Sequence, residues 1–84
     1  MPIYFFHQQT GNDLLEDPEG SDLPDLEAAR SYALDGMREM LGSSIRWKLI
    51  PPDWMIVADD SGRQLLSVAA TEVLPDTIKR LLKD

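Results

Sequence analysis

His7 is the single histidine in a chain of 84 residues that contains no cysteine. An imidazole can act as a general base, a metal ligand or a proton-sensitive switch near neutral pH. As a base it needs a nucleophile, and no nucleophile-elbow sequence is present. As a metal ligand it would have only carboxylates for company. His7 therefore reads as a structural or surface residue. Asp17-x-Glu19-Gly20-x-Asp22 alternates oxygen ligands around a glycine, which invites comparison with a calcium loop. It lacks the D-x-D-x-D-G spacing and the bidentate glutamate that closes such a loop. The paired Asp59-Asp60 falls in a turn, where aspartate bonds local backbone groups rather than working as acid or base. Gly20 and Gly62 stand alone, so there is no phosphate-cradling loop. Arg46-Trp47-Lys48 is a basic-aromatic cluster of the kind that stacks nucleobases. Three residues are too few against a net charge of −7. The expectation is no enzyme activity, no catalytic residue, no metal and no cofactor.

The charge is localised. Asp13, Glu16, Asp17, Glu19, Asp22, Asp25 and Glu27 lie in one stretch with no Lys or Arg among them. The other eight acids are matched by the eight basic residues elsewhere. A patch built from Asp13, Glu16, Asp17, Glu19 and Asp22 repels phosphate backbones and argues against nucleic acid. It suits a solvated loop, or a basic partner. The absence of cysteine fits a reducing compartment. No signal peptide and no apolar run approaching the ~20 residues of a membrane span is visible. The reading is a soluble cytoplasmic protein of one domain.

The element that must position everything else is Leu23 to Ser44, read as one amphipathic helix. Asp25 is its expected N-cap, and Gly42-Ser43-Ser44 are expected to stop it or loosen its last turn. Leu26, Ala29, Ala33, Met37, Met40 and Leu41 fall on one side at helical spacing. Gly36 lies inside that stripe, which suggests a close approach to a sheet. Leu34, Leu41 and Ile45 make a second, narrower apolar line at its edge.

Around the helix the pattern is that of strands. Met1 to Thr10 places Ile3, Phe5, His7 and Gln9 on one face and Tyr4, Phe6 and Gln8 on the other. Asp13 to Asp17 would return as a second strand after a loop of three to five residues. Ser21 to Pro24 would lead into the helix. Ile45 to Asp53, with Pro51-Pro52, reads as an extended connection. Trp54–Ala58 and Arg63–Val68 form a hairpin around Asp59-Asp60-Ser61-Gly62. Thr71–Asp84 looks like a closing helix with Ile78, Leu81 and Leu82 on one face. The fold class is α+β: a ββαββ antiparallel sheet covered by one helix over residues 1–70, with a helical tail over residues 71–84.

The opening MPIYFFH, the turn GNDLLEDPEG, the helix entry DLPDLEAAR and the hairpin DDSGRQLL resemble a family of small uncharacterised bacterial proteins, mainly alphaproteobacterial, that form a domain of unknown function. The likeness covers roughly residues 1–70. It implies a single ββαββ unit and carries over no functional residue, because the family has no established activity. The chain departs from the family pattern in the Trp47–Pro52 connection and after Ala70. A weaker similarity is to antitoxin-type domains with a small sheet and one helix, though no separate DNA-binding segment is evident.

The strands carry apolar residues on both faces, more than one helix can hide. The leading expectation is a non-enzymatic interaction or structural domain that forms a homodimer. Its candidate interface residues are Tyr4, Phe6, Leu34, Ile45, Trp47, Ile78, Leu81 and Leu82. The alternative is an acidic, antitoxin-like regulator that binds a basic protein.

Overall fold

A computed structural model describes residues 2–73 of the chain. β1 (Ile3–Thr10) turns back on β2 (Asp13–Leu15) through Gly11 and Asn12, with Thr10 paired to Asp13. Gly11 has φ +59°. A positive φ at the first of two loop residues is the II′ hairpin pattern, whose twist matches the flanking strands. The loop is therefore two residues long, shorter than the spacing suggested. The Asp53 carboxylate accepts the Gly11 N–H at 2.7 Å and ties the turn to the chain just before Trp54, which pairs with Gln9.

The chain next makes the two-residue β3 (Ser21–Asp22), which pairs with the start of β1. The lead-in to the helix is thus part of the sheet. The helix α1 spans Leu26–Trp47, and β4 (Trp54–Ala58) and β5 (Gln64–Ala69) follow as a hairpin. All pairings are antiparallel, in the order β2-β1-β4-β5, with β3 also on β1. A bulge interrupts the register between Val57 and Ala58. The α+β class and the single covering helix agree with the sequence reading.

The helix begins as its sequence demands. Asp25 accepts the Ala28 N–H at 2.8 Å, satisfying one of the free donors of the first turn. Its end differs from expectation. The helix runs past Ser44, and Ile45, Arg46 and Trp47, which the sequence places in an extended connection, are helical. Glycine and serine lower helix propensity by at most about 1 kcal/mol each, which buried packing outweighs. Leu41 and Ser44 supply that packing, and the Ser44 hydroxyl bonds the Met40 carbonyl at 2.7 Å. Lys48 ends the helix in the left-handed conformation at φ 56°, and the Leu49 N–H returns to the Ser44 carbonyl. This is a Schellman-type stop made without glycine.

Ala29, Ala33, Met37 and Leu41 form the buried line of α1. They meet Tyr4 and Phe6 of β1, Met55 and Val57 of β4, and Val68 of β5. The register explains the meeting, since Phe6 lies opposite Val57, and Met55 opposite Val68. Met40 packs at the margin, and Leu26 is exposed rather than part of the core.

After β5, residues 70–73 are helical and Val73 is buried. Glu72 accepts the Ala69 N–H at 2.8 Å, half of a capping box, and lies 3.7 Å from Arg30 of α1. The expected closing helix over residues 71–84 lies otherwise outside the described residues.

Candidate functional site

The acidic stretch is organised around one of its own members. Asp17 Oδ2 accepts the Phe6 N–H at 3.2 Å, while Oδ1 accepts the N–H groups of Glu19 and Gly20, both at 3.2 Å. The Asp17 N–H donates to His7 Nδ1 at 3.0 Å. Partial burial pushes the Asp17 carboxyl up, but the Phe6, Gly20 and Glu19 donors, helped by His7, hold it below its ordinary value. Gly20 completes the turn. Its φ is +76°, and a Cβ there would lie 2.7 Å from Ile3 Cγ2 and 3.0 Å from Phe5 Cε2. Asp17 is therefore a structural clamp that ties the 16–20 turn to β1.

His7 belongs to the same clamp. Its Nδ1 accepts a backbone N–H, which places the ring proton on Nε2, and its ring stacks on Phe5 with centroids 6.4 Å apart. The ring nitrogen is engaged by main chain rather than by a serine or a carboxylate. Asp59 does the equivalent work in the second hairpin. Its Oδ1 accepts the Ser61 hydroxyl at 2.6 Å and the N–H groups of Ser61 and Arg63. The Ser61 hydroxyl is the main reason its carboxyl lies below the ordinary value. Among the described residues no group of three or more His, Asp or Glu side chains is placed to hold a metal ion. No helix among them is long and apolar enough to cross a membrane.

The clamped turn forms one wall of a groove. α1 lies over β4 and β5 and leaves the β1–β2 side of the sheet partly uncovered. The gap between the helix and the 15–21 segment is a groove of about 490 Å³. Phe6 and Met55 line its floor, Tyr32, Gly36 and Met40 its helix wall, and Glu16, Glu19 and Glu39 its rim. Among the described residues no Lys or Arg lines it. Tyr32 is 49% exposed and packs on Phe6 with ring centroids 4.7 Å apart. The groove continues past Gln8, Glu39 and Met40 toward Leu49 and Ile50. The sequence reading singled out Glu16 and Glu19 but not Tyr32, Gly36 or Glu39 as neighbours. Their spacing on α1 is legible, yet their opposition to the 16–20 turn depends on Asp17.

A second surface is the sheet face away from α1. Alternation puts Phe5, His7, Trp54, Ile56 and Ser67 there, and the pairing of Gln9 with both Leu14 and Trp54 adds Leu14. No described helix covers this face. Leu14 is 48% exposed and Trp54 45%.

The candidate interface residues are dispersed. Tyr4 and Phe6 are spent in the chain's own core and leave the set, because α1 covers the even-numbered face of β1. Leu34 is partly buried at the core margin. Ile45 and Trp47 are exposed at the end of α1, Trp47 at 68%, beside Leu49 and an 85% exposed Ile50. Ile78, Leu81 and Leu82 lie outside the described residues. Of the acidic patch, Asp13, Glu16, Glu19 and Asp22 are exposed, and Asp17 is internally engaged.

Comparison with known proteins returns no match among curated proteins and none among solved structures. A family model described as "Domain of unknown function (DUF6894)" matches residues 3–71, from the first residue of β1 to the turn after β5. The match takes in the clamp, the groove and the bare sheet face together, and the chain belongs to this DUF6894 family.

Proposed function

We propose that this domain is a non-enzymatic interaction module that self-associates as a homodimer through its bare sheet face. The observation that carries the reading is the two-sided apolar character of the central strands. One face of β1 and β4 packs against α1, while the other carries Phe5, Ile56, Leu14 and Trp54 with no described helix over them, Leu14 and Trp54 being exposed. Exposed apolar side chains grouped on one sheet face, here interleaved with His7, Gln9 and Ser67, mark interaction sites. Antiparallel sheets do often face water on one side, but then that side is polar.

Size-exclusion chromatography with light scattering, over a range of protein concentration, tests this. The expected result is twice the chain mass, reverting to one chain mass for Ile56→Asp. A wild-type protein that stays monomeric at high concentration removes the reading.

A second reading, of a regulator that captures a basic protein, is favoured by a different observation. The seven acids between Asp13 and Glu27 carry no internal cation, and among the described residues no basic side chain lines the groove beside them.

A further inference from the structure

We propose that the groove between α1 and the Asp17-clamped turn is a peptide-binding site that seats an arginine or lysine side chain of an extended basic segment. The inference deepens the second reading, and it does not depend on the dimer, whose face lies on the other side of the sheet.

Three features point to that occupant. The first is the composition of the groove. Its floor and helix wall offer Phe6, Tyr32, Met40 and Met55, while its rim offers Glu16, Glu19 and Glu39. An apolar channel ending in carboxylates matches a side chain with an aliphatic stem and a cationic head. The exposed part of the Tyr32 ring adds a π face for that cation, and methionines adapt to an irregular stem.

The second feature is that the rim is unspent. Asp17 has its oxygens filled by three backbone N–H groups. Arg38 is the nearest cation along α1 to Glu39, and it pairs with Asp35 at 2.9 Å, on the polar side of the helix. Glu16, Glu19 and Glu39 make no side-chain hydrogen bond or ion pair among the described residues. Their charge is available to a ligand.

The third feature is shape. At about 490 Å³ the groove lies within the range of roughly 300–1,000 Å³ typical of ligand sites. It runs on along α1 to the exposed Leu49 and Ile50, so it accommodates an extended segment rather than one compact molecule. The Asp17 clamp holds the wall in place before binding, which lowers the ordering cost.

The test uses the full chain and a fluorescein-labelled peptide of alternating arginine and leucine, read by fluorescence anisotropy at low and moderate salt. Two triple variants remove the same charge from different places. Glu16→Gln, Glu19→Gln and Glu39→Gln neutralise the rim. Asp13→Asn, Asp22→Asn and Glu27→Gln neutralise acids outside the groove. The expected result is salt-sensitive binding that weakens at least about tenfold in the rim variant, equivalent to ~1.4 kcal/mol, and no more than about twofold in the distal variant. Amide chemical-shift changes should centre on Tyr32, Gly36 and Glu39. Equal weakening in both variants, or binding that survives the rim variant, overturns the groove while leaving a general acidic attraction standing. Failure of the wild-type chain to bind the peptide overturns both.

Discussion

The two faces of the sheet are built from the same strands and from similar residues, yet they end in opposite states. Toward α1, Val57 and Val68 are sealed beneath Ala33 and Met37. On the other face, one residue along from each, Ile56 and Ser67 meet no described helix. Strand alternation assigns residues to faces, but only a neighbouring element decides whether a face becomes core. The value of an apolar side chain therefore differs across a single peptide unit of β4.

The sharpest way to break this comparison is to place one charge on each side. Val57→Asp should cost more than about 4 kcal/mol, since it buries an unpaired carboxylate at a fully buried position. A small domain has about 5–15 kcal/mol in total, so the variant should lose its cooperative thermal transition. Ile56→Asp should retain that transition as a folded monomer. Circular dichroism melts of the two variants check this, and comparable losses would mean that the outer face is packed as tightly as the inner.

A smaller effect is expected at the clamp that shapes the groove. Asp17→Ala leaves the Phe6, Glu19 and Gly20 N–H groups without their acceptor, at a cost of about 1–2 kcal/mol for a partly exposed site. The effect should depend on pH. The folded chain holds the Asp17 carboxyl below its unfolded value, so its contribution is complete above the unfolded value and fades as pH falls through the folded one. Urea denaturation of wild type and Asp17→Asn should therefore differ at neutral pH and converge in acid. A difference that persists in acid, once pH lies well below the folded value, would assign the effect to packing instead of charge.

What was legible in the sequence was local. Asp25 as N-cap, Asp59 and Gly62 as turn residues, and the bounds of β4 each follow from chemistry within a few positions. The end of α1 was not legible, because its breakers are overruled by the burial of Leu41 and Ser44, and its true stop is a lysine with no sequence signature for a left-handed conformation. The faces of β1 were assigned correctly, but which one α1 would cover was not, since Phe5 and Phe6 are equal candidates. Asp17 read as one acid among seven. Its role as a clamp requires Phe6 and His7, ten or so residues away, across a pairing that only the folded sheet creates. The groove is a further step removed, being the space left between a clamped turn and a helix.

The finest expected effect lies at Gly36, where the covered region meets the groove. Glycine inside the apolar stripe suggested that helix and sheet need its missing side chain. The structure places Gly36 over Met55, but with room to spare. A Cβ would lie 3.5 Å from Met55 Cε and 3.9 Å from its sulfur, ordinary contact with the flexible end of a side chain. Nothing steric then offsets the helix propensity of alanine, and Gly36→Ala should stabilise the fold by about 0.5–1 kcal/mol in chemical denaturation. Gly36 also lines the groove, with Tyr32 and Met40. A stabilised variant would show that glycine here is not required by packing, leaving the width of the groove as the property that it preserves. A destabilised one would place Gly36 with the sealed face, and would mean that the helix sits closer to β4 than the Met55 contact allows.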